Sequence, residues 1–530
     1  MKQAHRLFVP LLVLFCTSLL TAQVPVTTYQ YDNNRSGMNA QETILTPSNV
    51  NDQQFGKLNT FSVQGYVYAQ PLYVPNLDIN GTSHNVLFVA TEHDQVYAFD
   101  VNSGQQLWHT SFLSGNSPLI TVSTVSSNDV NCTDLTPEIG ITGTPVIDTA
   151  TNTMYVSVET KEIDSLTGVT NFYHRLHALD IRTGRDLVTP HTIIGVTRGS
   201  GSGSIGGIIV FNSLLANQRP SLLLAGGQLF VSWSSHCDLG SYHGWLMSFN
   251  QSTLAPTGVF ADTPNGEEGG IWGSGSGPAA DANGSIYAGT GNGIFDANSG
   301  GIDYGDSVLR FTWSPASGIA VADYFTPWDE ETLDGEDLDV NSGGVVLLPN
   351  QSGPYPHLLI QVGKEGTIDL INRDNMGHWH EGNDDQIVQT LPYEIGGVFG
   401  GDAFWNNNAY FNGARDALKA FSFDPQTEQL STAPTSESPE IFTFPPATPV
   451  VSANGTSNGI AWLIEGDDYP SNAVLRAYSA TNLGNELYNS LQNPSRDQAP
   501  LAVKFAVPTI ADGHVFVGGQ GQVAMYGLLQ

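Results

Sequence analysis

Short apolar runs, many of them β-branched or aromatic, alternate along the chain with clusters of Gly, Asn, Asp and Pro. Apolar positions spaced three and four residues apart, the pattern of an amphipathic helix, are almost absent. Runs of this length and composition, bounded by turn-forming residues, indicate β-strands. We therefore expect an all-β protein.

The runs recur in a fixed order. A first strand with a small residue and often a proline, such as "TGTPVID" or "AVPTIADG", precedes an apolar strand with an aromatic residue, such as "QLFVSW" or "HVFVGG". A third strand such as "QVYAFD" or "RLHALD" follows, then a turn and a last strand. Eight such units average about 60 residues, against about 40–45 for a bare four-stranded propeller blade, so the connections must be long. The pattern predicts an eight-bladed β-propeller of four-stranded antiparallel blades.

The two ends of the chain are expected to meet in one blade. The last unit, "KFAVPTIADGHVFVGGQGQVAMYGLLQ", supplies three strands, and the segment "FGKLNTFSV" near the other end can supply the fourth. Closing the ring in this way removes exposed sheet edges. We expect an N-terminal arm at 23–55 and the propeller at 56–530. A pair of β-sandwiches is the alternative fold, and it explains the eightfold recurrence less well.

The first 22 residues have the features of a secretory signal. Lys2 and Arg6 precede the apolar run Leu7–Leu20, and small residues end at Ala22. The run is short for a membrane span, and no later stretch is long and apolar enough to be one. We therefore expect a secreted or periplasmic protein without a membrane span.

The chain is strongly acidic, with a formal net charge of −33. This charge argues against nucleic acid or an anionic lipid surface as a partner. It favours divalent cations, and solubility alone is the alternative explanation of the acidity. Beyond the signal, Cys132 and Cys237 remain. They can pair in an oxidising compartment or stand as two separate thiols.

Three polar stretches have competing interpretations. The glycine-rich "IYAGTGNGIF" is followed by no helical pattern, which argues against a nucleotide-binding loop and leaves a turn that carries Asn292. "MGHWHEGNDD" and "SSHCDLGSYHGW" contain residue types that bind metals, but loops at the propeller surface explain them as well. Their candidate ligands are His378, His380, Glu381, Asp384 and Asp385 in the former, and His236, Cys237 and His243 in the latter.

One unit resembles the repeat of pyrroloquinoline-quinone (PQQ) propellers. In "VLFVATEHDQVYAFDVNSGQQLWHTSF", the residues Ala98-Phe99-Asp100, Gly104 and Trp108 match that repeat. The repeat alone marks an architecture, since binding scaffolds share it with enzymes.

Segments in the middle of the chain resemble PQQ-dependent alcohol dehydrogenases more specifically. "GGIWGSGSGPAADANGSIYAGTGNG" resembles the family segment whose Trp stacks under the quinone and whose Asn binds calcium, which implies these roles for Trp272 and Asn292. "YFTPWDEETLDGEDLDV" resembles the segment with the catalytic base, which implies Asp337, with Asp339 and Asp329 as alternatives.

Two further segments complete the resemblance. "GKEGTIDLINRDNMG" resembles the strand whose cation reaches the quinone oxygens, which implies Lys364. "MYVSVETKEI" aligns with the strand that ends in a calcium-binding Glu; Glu162 fits best and Glu159 is close. The family's adjacent cysteine pair is missing, and no CxxCH haem site is present, so the electron acceptor is unknown.

The residue types suit the implied chemistry. PQQ carries three carboxylates and an ortho-quinone, which calcium and a lysine can neutralise, and calcium prefers oxygen ligands. The resemblance implies oxidation of a small alcohol or sugar, with Asp337 taking the hydroxyl proton. It also implies that all five residues converge, with Asp337 and Lys364 on opposite sides of a planar quinone. The alternative is a non-catalytic propeller that binds protein or polysaccharide through its loops.

Overall fold

The computed structural model of the protein describes residues 23–115, 117–466 and 471–529. Within these ranges, eight antiparallel sheets follow one another along the chain and form the blades of a β-propeller. The predicted all-β fold and the eightfold repeat are confirmed, and the pair of sandwiches is excluded. The predicted signal, residues 1–22, lies outside the described residues.

Most blades have four strands in simple up-and-down order. Blade 1 contains Leu72–Ile79, Thr82–Thr91, Gln95–Asp100 and Gln106–Ser111. Blade 2 contains Val146–Asp148, Thr153–Asp164, Thr170–Asp180 and His191–Thr192. Blade 3 contains Leu223–Ala225, Gln228–Ser235, Trp245–Asn250 and Pro256–Ala261. Blade 4 contains Ala279–Ala280, Ile286–Gly289, Val308–Ser314 and Gly318–Phe325.

The second half of the ring repeats this order. Blade 5 contains Val345–Leu347, Leu358–Val362, Ile368–Asn372 and Gln389–Leu391. Blade 6 contains Ala403–Trp405, Asn408–Asn412 and Asp416–Asp424, with Gln429–Leu430 and Ser436–Phe442 sharing the outer edge. Blade 7 contains Val450–Asn454, Ser457–Glu465, Val474–Ser479 and Asn482–Asn489. Blade 8 contains Thr509–Ala511, His514–Leu528 and Phe55–Tyr66.

Smaller elements occupy the connections. Short strands are Met38–Asn39, Ile120–Ser123, Val125–Ser126, Glu138–Ile139, Val196–Arg198, Ile208–Val210 and Ala216–Asn217. The α-helices are Ser127–Val130, Glu330–Gly335 and Pro494–Asp497, and the 3-10 helices are Ala297–Ser299 and Val340–Gly343. No helix in the described part of the chain has the length and apolar character needed to cross a membrane.

Blade 8 joins the two ends of the described chain. Phe55–Tyr66 pairs antiparallel with His514–Leu528, in a register that sets Phe55 opposite Leu528 and Phe61 opposite Val523. The strand predicted from "FGKLNTFSV" therefore closes the ring as expected, but the last unit supplies two strands and not the predicted three, because His514–Leu528 is one continuous strand.

The hydrophobic core lies between neighbouring blades. Along Thr153–Asp164, Met154 and Val156 pack in a cluster with blade 1, whereas Tyr155 packs in a cluster with blade 3. Successive side chains of a strand point to opposite faces of the sheet. The parity of a position in a strand therefore decides which neighbouring blade its side chain meets.

The N-terminal arm runs past the first strand of every blade. Its residues make hydrogen bonds with blades 1 to 8 in order: Val26 with Tyr73, Thr27 with Ile147, Asn33 with Leu224 and Ala280, Asn34 with Leu347, Ser36 with Phe404, Gly37 with Val451, and Asn39 with Ile510. The first strand is the inner edge of each sheet, so the arm pairs groups that the ring itself leaves open at its centre.

Arg35 anchors the arm inside the ring. Its guanidinium is fully buried and donates to the hydroxyl of Thr28 and to the carbonyl oxygens of Tyr29, Leu222 and Pro278. These bonds use all five of its N–H groups. Arg35 thus adds to the bonds of Asn33 in holding the arm to blades 3 and 4.

Candidate functional site

A cavity of about 240 Å³ lies where loops from several blades meet. Six of the residues that line it matter most here: Arg219, Trp272, Asp337, Asp339, Lys364 and Phe505. We call this space the central cavity. It combines three cationic side chains, those of Arg219, Lys364 and Lys504, with several aromatic rings.

Lys364 holds the polar part of the cavity together. Its Nζ lies 2.6 Å from Asp337 Oδ1 and 2.7 Å from Asp339 Oδ2, and 5.8 Å from the centre of the Trp272 ring. Burial lowers the pKa of Lys364, but the neighbouring Asp339 and Asp337 carboxylates raise it by more, so its pKa lies above the ordinary value. The lysine therefore stays charged.

Asn292 joins the same group from the turn after Ile286–Gly289. Its backbone N–H donates to Asp339 Oδ1 at 2.9 Å, and its Nδ2 donates to Asp337 Oδ1 at 2.8 Å. Its Oδ1 is buried and has no hydrogen-bond partner among the described residues. An unpaired buried acceptor is costly, and a cation would satisfy it.

The turn "GTGNG" admits this arrangement because of Gly291. A Cβ at this position would lie 2.2 Å from Asp339 Oδ1, so a larger residue would displace the carboxylate. Asp337 follows the helix Glu330–Gly335 and has a left-handed backbone, with φ of 57°. Its side chain is 71% exposed, whereas that of Asp339 is 11% exposed.

Carboxyl groups outnumber cations around Lys364. Burial, followed by the charge of Asp339, holds the pKa of Asp306 well above its usual range. Burial also raises the pKa of Asp238, and the carboxylates of Asp339 and Asp337 raise it further. The region is therefore short of positive charge, which favours a bound cation.

The structure brings together four of the five predicted site residues: Trp272, Asn292, Asp337 and Lys364. Of the alternative bases, Asp339 lies in the central cavity and Asp329 lines a different one. The expected gap between Asp337 and Lys364 is wrong, because the two side chains are in direct contact. The Lys364 side chain pairs with the two nearest carboxylates, those of Asp337 and Asp339, because opposite charges attract.

Glu162 lies apart from this group, so the predicted convergence of five residues is wrong. Its carboxylate pairs with Arg175 at 2.5 Å, in a separate cavity lined also by Val158 and Thr160. The physical reason is strand parity, since positions 158, 160 and 162 share one face.

Glu159, the alternative glutamate, is buried on the opposite face of that strand. Its Oε2 lies 3.8 Å from His174 Nε2 and 3.9 Å from His236 Nε2. Its Oε1 has no hydrogen-bond partner in the described structure. His236 lies between Ser235 and Cys237, which both line the central cavity.

Cys132 and Cys237 form a disulfide, with their Cα atoms 5.8 Å apart. The pairing that the sequence left open is therefore present, and Cys237 lines the central cavity. Within the described ranges, the one set of three His, Cys, Asp or Glu atoms close enough for a metal is Cys132, Asp134 and Cys237. Because its sulfur atoms are bonded to each other, this set is a poor metal site.

No histidine of the two His-containing stretches belongs to a set of three groups close enough for a metal among the described residues. His378 stacks on Tyr324 at 4.4 Å and contacts Asp323 at 3.1 Å. His243 contacts the Thr263 hydroxyl and the Ser202 carbonyl, each at 2.9 Å. The loop interpretation of both stretches is therefore the better one.

Sequence reasoning missed Arg219. It is buried, and its guanidinium lies 5.3 Å from the Tyr68 ring centre and 5.4 Å from that of Phe505. Its Nη2 has no hydrogen-bond partner among the residues that the structure describes. The available signal was its place in "NQRPS", one of few basic residues in the chain and directly before a first strand.

Comparison with known proteins finds relatives in fold. No known sequence family matches the chain, and no curated protein matches it in sequence. Quinohemoprotein alcohol dehydrogenase from Comamonas testosteroni superposes with a TM-score of 0.62 at 13% identity, over 96% of this chain and 81% of that one. Quinohemoprotein alcohol dehydrogenase ADHIIG from Pseudomonas putida HK5 superposes with a TM-score of 0.56 at 12% identity, over 95% of this chain and 80% of that one. A europium-containing methanol dehydrogenase gives 0.60 at 11% identity, over 95% and 98%.

At this identity the likeness concerns the fold. The chain has the eight-bladed propeller fold of the quinoprotein alcohol dehydrogenases, which confirms the architecture that the sequence motifs implied.

Proposed function

We propose that the protein is a dehydrogenase that oxidises an alcohol or sugar hydroxyl with PQQ and calcium in the central cavity. The observation that carries this proposal is the meeting of Trp272, Asp337 and Lys364 in one cavity, with Asn292 hydrogen-bonded to Asp337. These residues come from separate segments of blades 4 and 5 and their loops, and the family resemblance assigns each a role at the quinone.

The residues of the cavity fit a flat, polyanionic ligand. Arg219, Lys364 and Lys504 supply three positive charges, as many as PQQ has carboxylates. Arg219 Nη2 is buried without a partner in the described structure, and a ligand carboxylate would satisfy it. Trp272 and Phe505 offer ring faces for a planar ligand.

The residues also fit calcium. Asn292 Oδ1 is a buried oxygen without a partner among the described residues, and Asp339 adds a carboxylate beside it. Oxygen donors of this kind are the ligands that calcium prefers. Of the two glutamates on Thr153–Asp164, Glu159 is the better candidate for a further ligand, because Glu162 is neutralised by Arg175.

When bound, PQQ would accept the hydride and calcium would polarise the quinone carbonyl. Asp337 would take the proton of the substrate hydroxyl. Its Oδ1 accepts from Lys364 and Asn292, which stabilises the ionised carboxylate and fixes its orientation. Its Oδ2 then remains for the hydroxyl. Lys364 would also bring its charge to the ligand, and Trp272 would hold the ring plane.

Reconstitution tests this proposal. Purified protein would be titrated with PQQ in the presence and absence of calcium, with binding followed by calorimetry and turnover by dye reduction against an alcohol and sugar panel. We expect calcium-dependent PQQ binding and dye reduction with at least one substrate. Absence of PQQ binding would contradict the proposal.

A non-catalytic propeller remains the second candidate. The direct contact of Asp337 with Lys364 supports it, because the two side chains already satisfy each other in the structure. PQQ binding without turnover on any substrate would favour this candidate and would indicate a cavity that keeps only the quinone-binding part of the function.

A further inference from the structure

A second cavity of about 240 Å³ lies behind the wall that carries Asp337 and Lys364. We call it the peripheral cavity; the residues that matter here are Trp328, Asp329, Glu365, Asp369, Asp384 and Tyr393. Leu338 and Val340 line it, whereas Asp337 and Asp339 line the central cavity. Successive side chains of the segment 337–340 therefore face two different cavities in turn.

The back wall of the peripheral cavity is a row of polar side chains on blade 5. Gln361, Asp369 and Thr390 lie directly opposite one another on three adjacent strands. Asp369 Oδ1 accepts a hydrogen bond from the Thr390 hydroxyl at 2.9 Å. Asp369 is 4% exposed and forms no ion pair within the described residues. A buried carboxyl group thus lines the cavity without a counter-charge.

The charged residue types that line this cavity are all acidic. Asp329, Glu365, Asp369 and Asp384 line it, no Lys, Arg or His does, and none of the four forms an ion pair in the described part of the chain. Burial and then the charge of Asp384 raise the pKa of Asp369 to about 8. Burial, with a contribution from Asp329, raises the pKa of Asp384 to about 6. A positively charged ligand would stabilise both carboxylates and so lower the pKa values of Asp369 and Asp384.

Two exposed aromatic residues form the rim. Trp328 is 46% exposed and Tyr393 is 69% exposed. Trp328 is held in place by its backbone N–H, which donates to Asp384 Oδ1 at 3.0 Å. Aromatic faces beside carboxylates attract organic cations, since the ring quadrupole adds to the charge attraction.

The spacing of the carboxylates favours a cation larger than a metal ion. Within the described residues, no three different carboxylates of this cavity bring one oxygen each to within 4.8 Å of one another. A divalent metal needs several oxygens at about 2.0–2.6 Å. An alkylammonium group instead contacts dispersed charges and ring faces at once.

From these observations we infer that the peripheral cavity binds a small organic cation with an alkyl- or quaternary ammonium group. The cation lies between Trp328 and Tyr393 and balances Asp369 and Asp384. This inference is independent of the proposed dehydrogenase activity, because it uses none of the residues of the central cavity.

Calorimetric titration of the whole protein with choline tests the inference. The control ligand is 3,3-dimethyl-1-butanol, which has the shape of choline without its charge. We expect choline to bind with a Kd below about 1 mM and the neutral alcohol at least about tenfold more weakly. Equal binding of the two compounds, tighter binding of a neutral sugar such as glucose, or no choline binding would overturn the inference.

Two variants locate the site. Asp369→Asn keeps the shape and removes the charge, and Trp328→Ala removes the exposed ring; each is expected to weaken choline binding by about tenfold. The matched control is Asp385→Asn, which removes an exposed charge next to Asp384 but outside the cavity lining. Its choline affinity should equal that of the unmodified protein. A loss in Asp385→Asn equal to that in Asp369→Asn would show a general charge effect and would also overturn the assignment.

Discussion

The side-chain nitrogen of Asn292 donates to Asp337 at 2.8 Å, while the side-chain oxygen of Asn292 is buried and accepts no hydrogen bond from any described residue. One amide thus supports a carboxylate and leaves a free acceptor beside it. An unsatisfied buried acceptor costs about 1–3 kcal/mol. A bound cation that contacts this oxygen would remove the cost and would be held by the neighbouring carboxylates.

Asn292→Ala is therefore expected to weaken calcium binding. The substitution removes both the free oxygen and the hydrogen bond to Asp337, and we expect a rise in Kd of about tenfold or more, or about 1.4 kcal/mol. Calcium titration by calorimetry measures it. Asn375→Ala, at an exposed asparagine, is the control. Unchanged calcium affinity in the Asn292 variant would exclude this residue as a ligand.

Asp337→Asn separates binding from turnover. The amide oxygen still accepts from Lys364, so PQQ and calcium should bind with nearly the original affinity. Without a base for the hydroxyl proton, kcat should fall by about 10²–10⁴-fold. Steady-state dye reduction and PQQ titration of the same sample give both values. Turnover retained at the original rate would assign the base to another residue, and Asp339→Asn is the next variant to compare.

Gly291 and Gly335 form a matched pair for the turn beside the site. An added Cβ at Gly291 meets Asp339 Oδ1 at 2.2 Å, whereas one at Gly335 meets no atom within 4 Å. We expect Gly291→Ala to lower the free energy of unfolding by about 1–3 kcal/mol, as overpacking does. Gly335→Ala, in a helix, should leave it unchanged or raise it slightly. Urea unfolding of both variants decides; equal stabilities would mean that Asp339 moves without cost.

Because of Glu92, we expect the free energy of unfolding to fall as the pH rises. Its carboxyl is buried, and desolvation raises its pKa to about 8 although Gly140 and Thr142 donate to it. The folded protein therefore binds this proton more tightly than the unfolded chain does. Its contribution to stability is fully present below about pH 4.5, the unfolded value, and is lost as the pH rises toward 8.

Glu92→Gln mimics the protonated form and should remove this dependence. Between those limits, Glu92 makes the free energy of unfolding fall by at most about 1.4 kcal/mol per pH unit. Urea unfolding at several pH values, compared with the unmodified protein, measures it. A variant that keeps the same slope would show that Glu92 is ionised in the folded protein.

Arg35→Ala tests the arm. The substitution leaves carbonyl oxygens of Tyr29, Leu222 and Pro278 without their donor inside the ring. We expect a loss of about 3–5 kcal/mol in the free energy of unfolding, as for other buried charged groups with full hydrogen bonding. Arg182→Ala, at an exposed arginine paired with Asp180, should have a much smaller effect on stability. Equal effects in thermal or urea unfolding would contradict the anchoring role.

The fold was readable from the sequence because each blade repeats the same order of strands and turns. "GTGNG" and "GKEG" were singled out by their resemblance to segments of PQQ-dependent alcohol dehydrogenases, and Asn292 and Lys364 both contact Asp337. The choice between Glu162 and Glu159 failed because it depends on strand parity, which apolar runs buried on both faces do not reveal. Arg219, the Asp337–Lys364 contact and the path of the arm depend on contacts distant in sequence.

The arm also limits how this protein can change in evolution. Its hydrogen-bonding groups between Val26 and Asn39 meet one first strand after another, from Tyr73 in blade 1 to Ile510 in blade 8. Propellers can gain or lose members by duplication or deletion of whole repeats. Here a ninth repeat would find no partner in the arm, and a ring of seven would leave arm groups unpaired inside the protein. The arm therefore specifies the number of repeats, and its length is expected to change only together with that number.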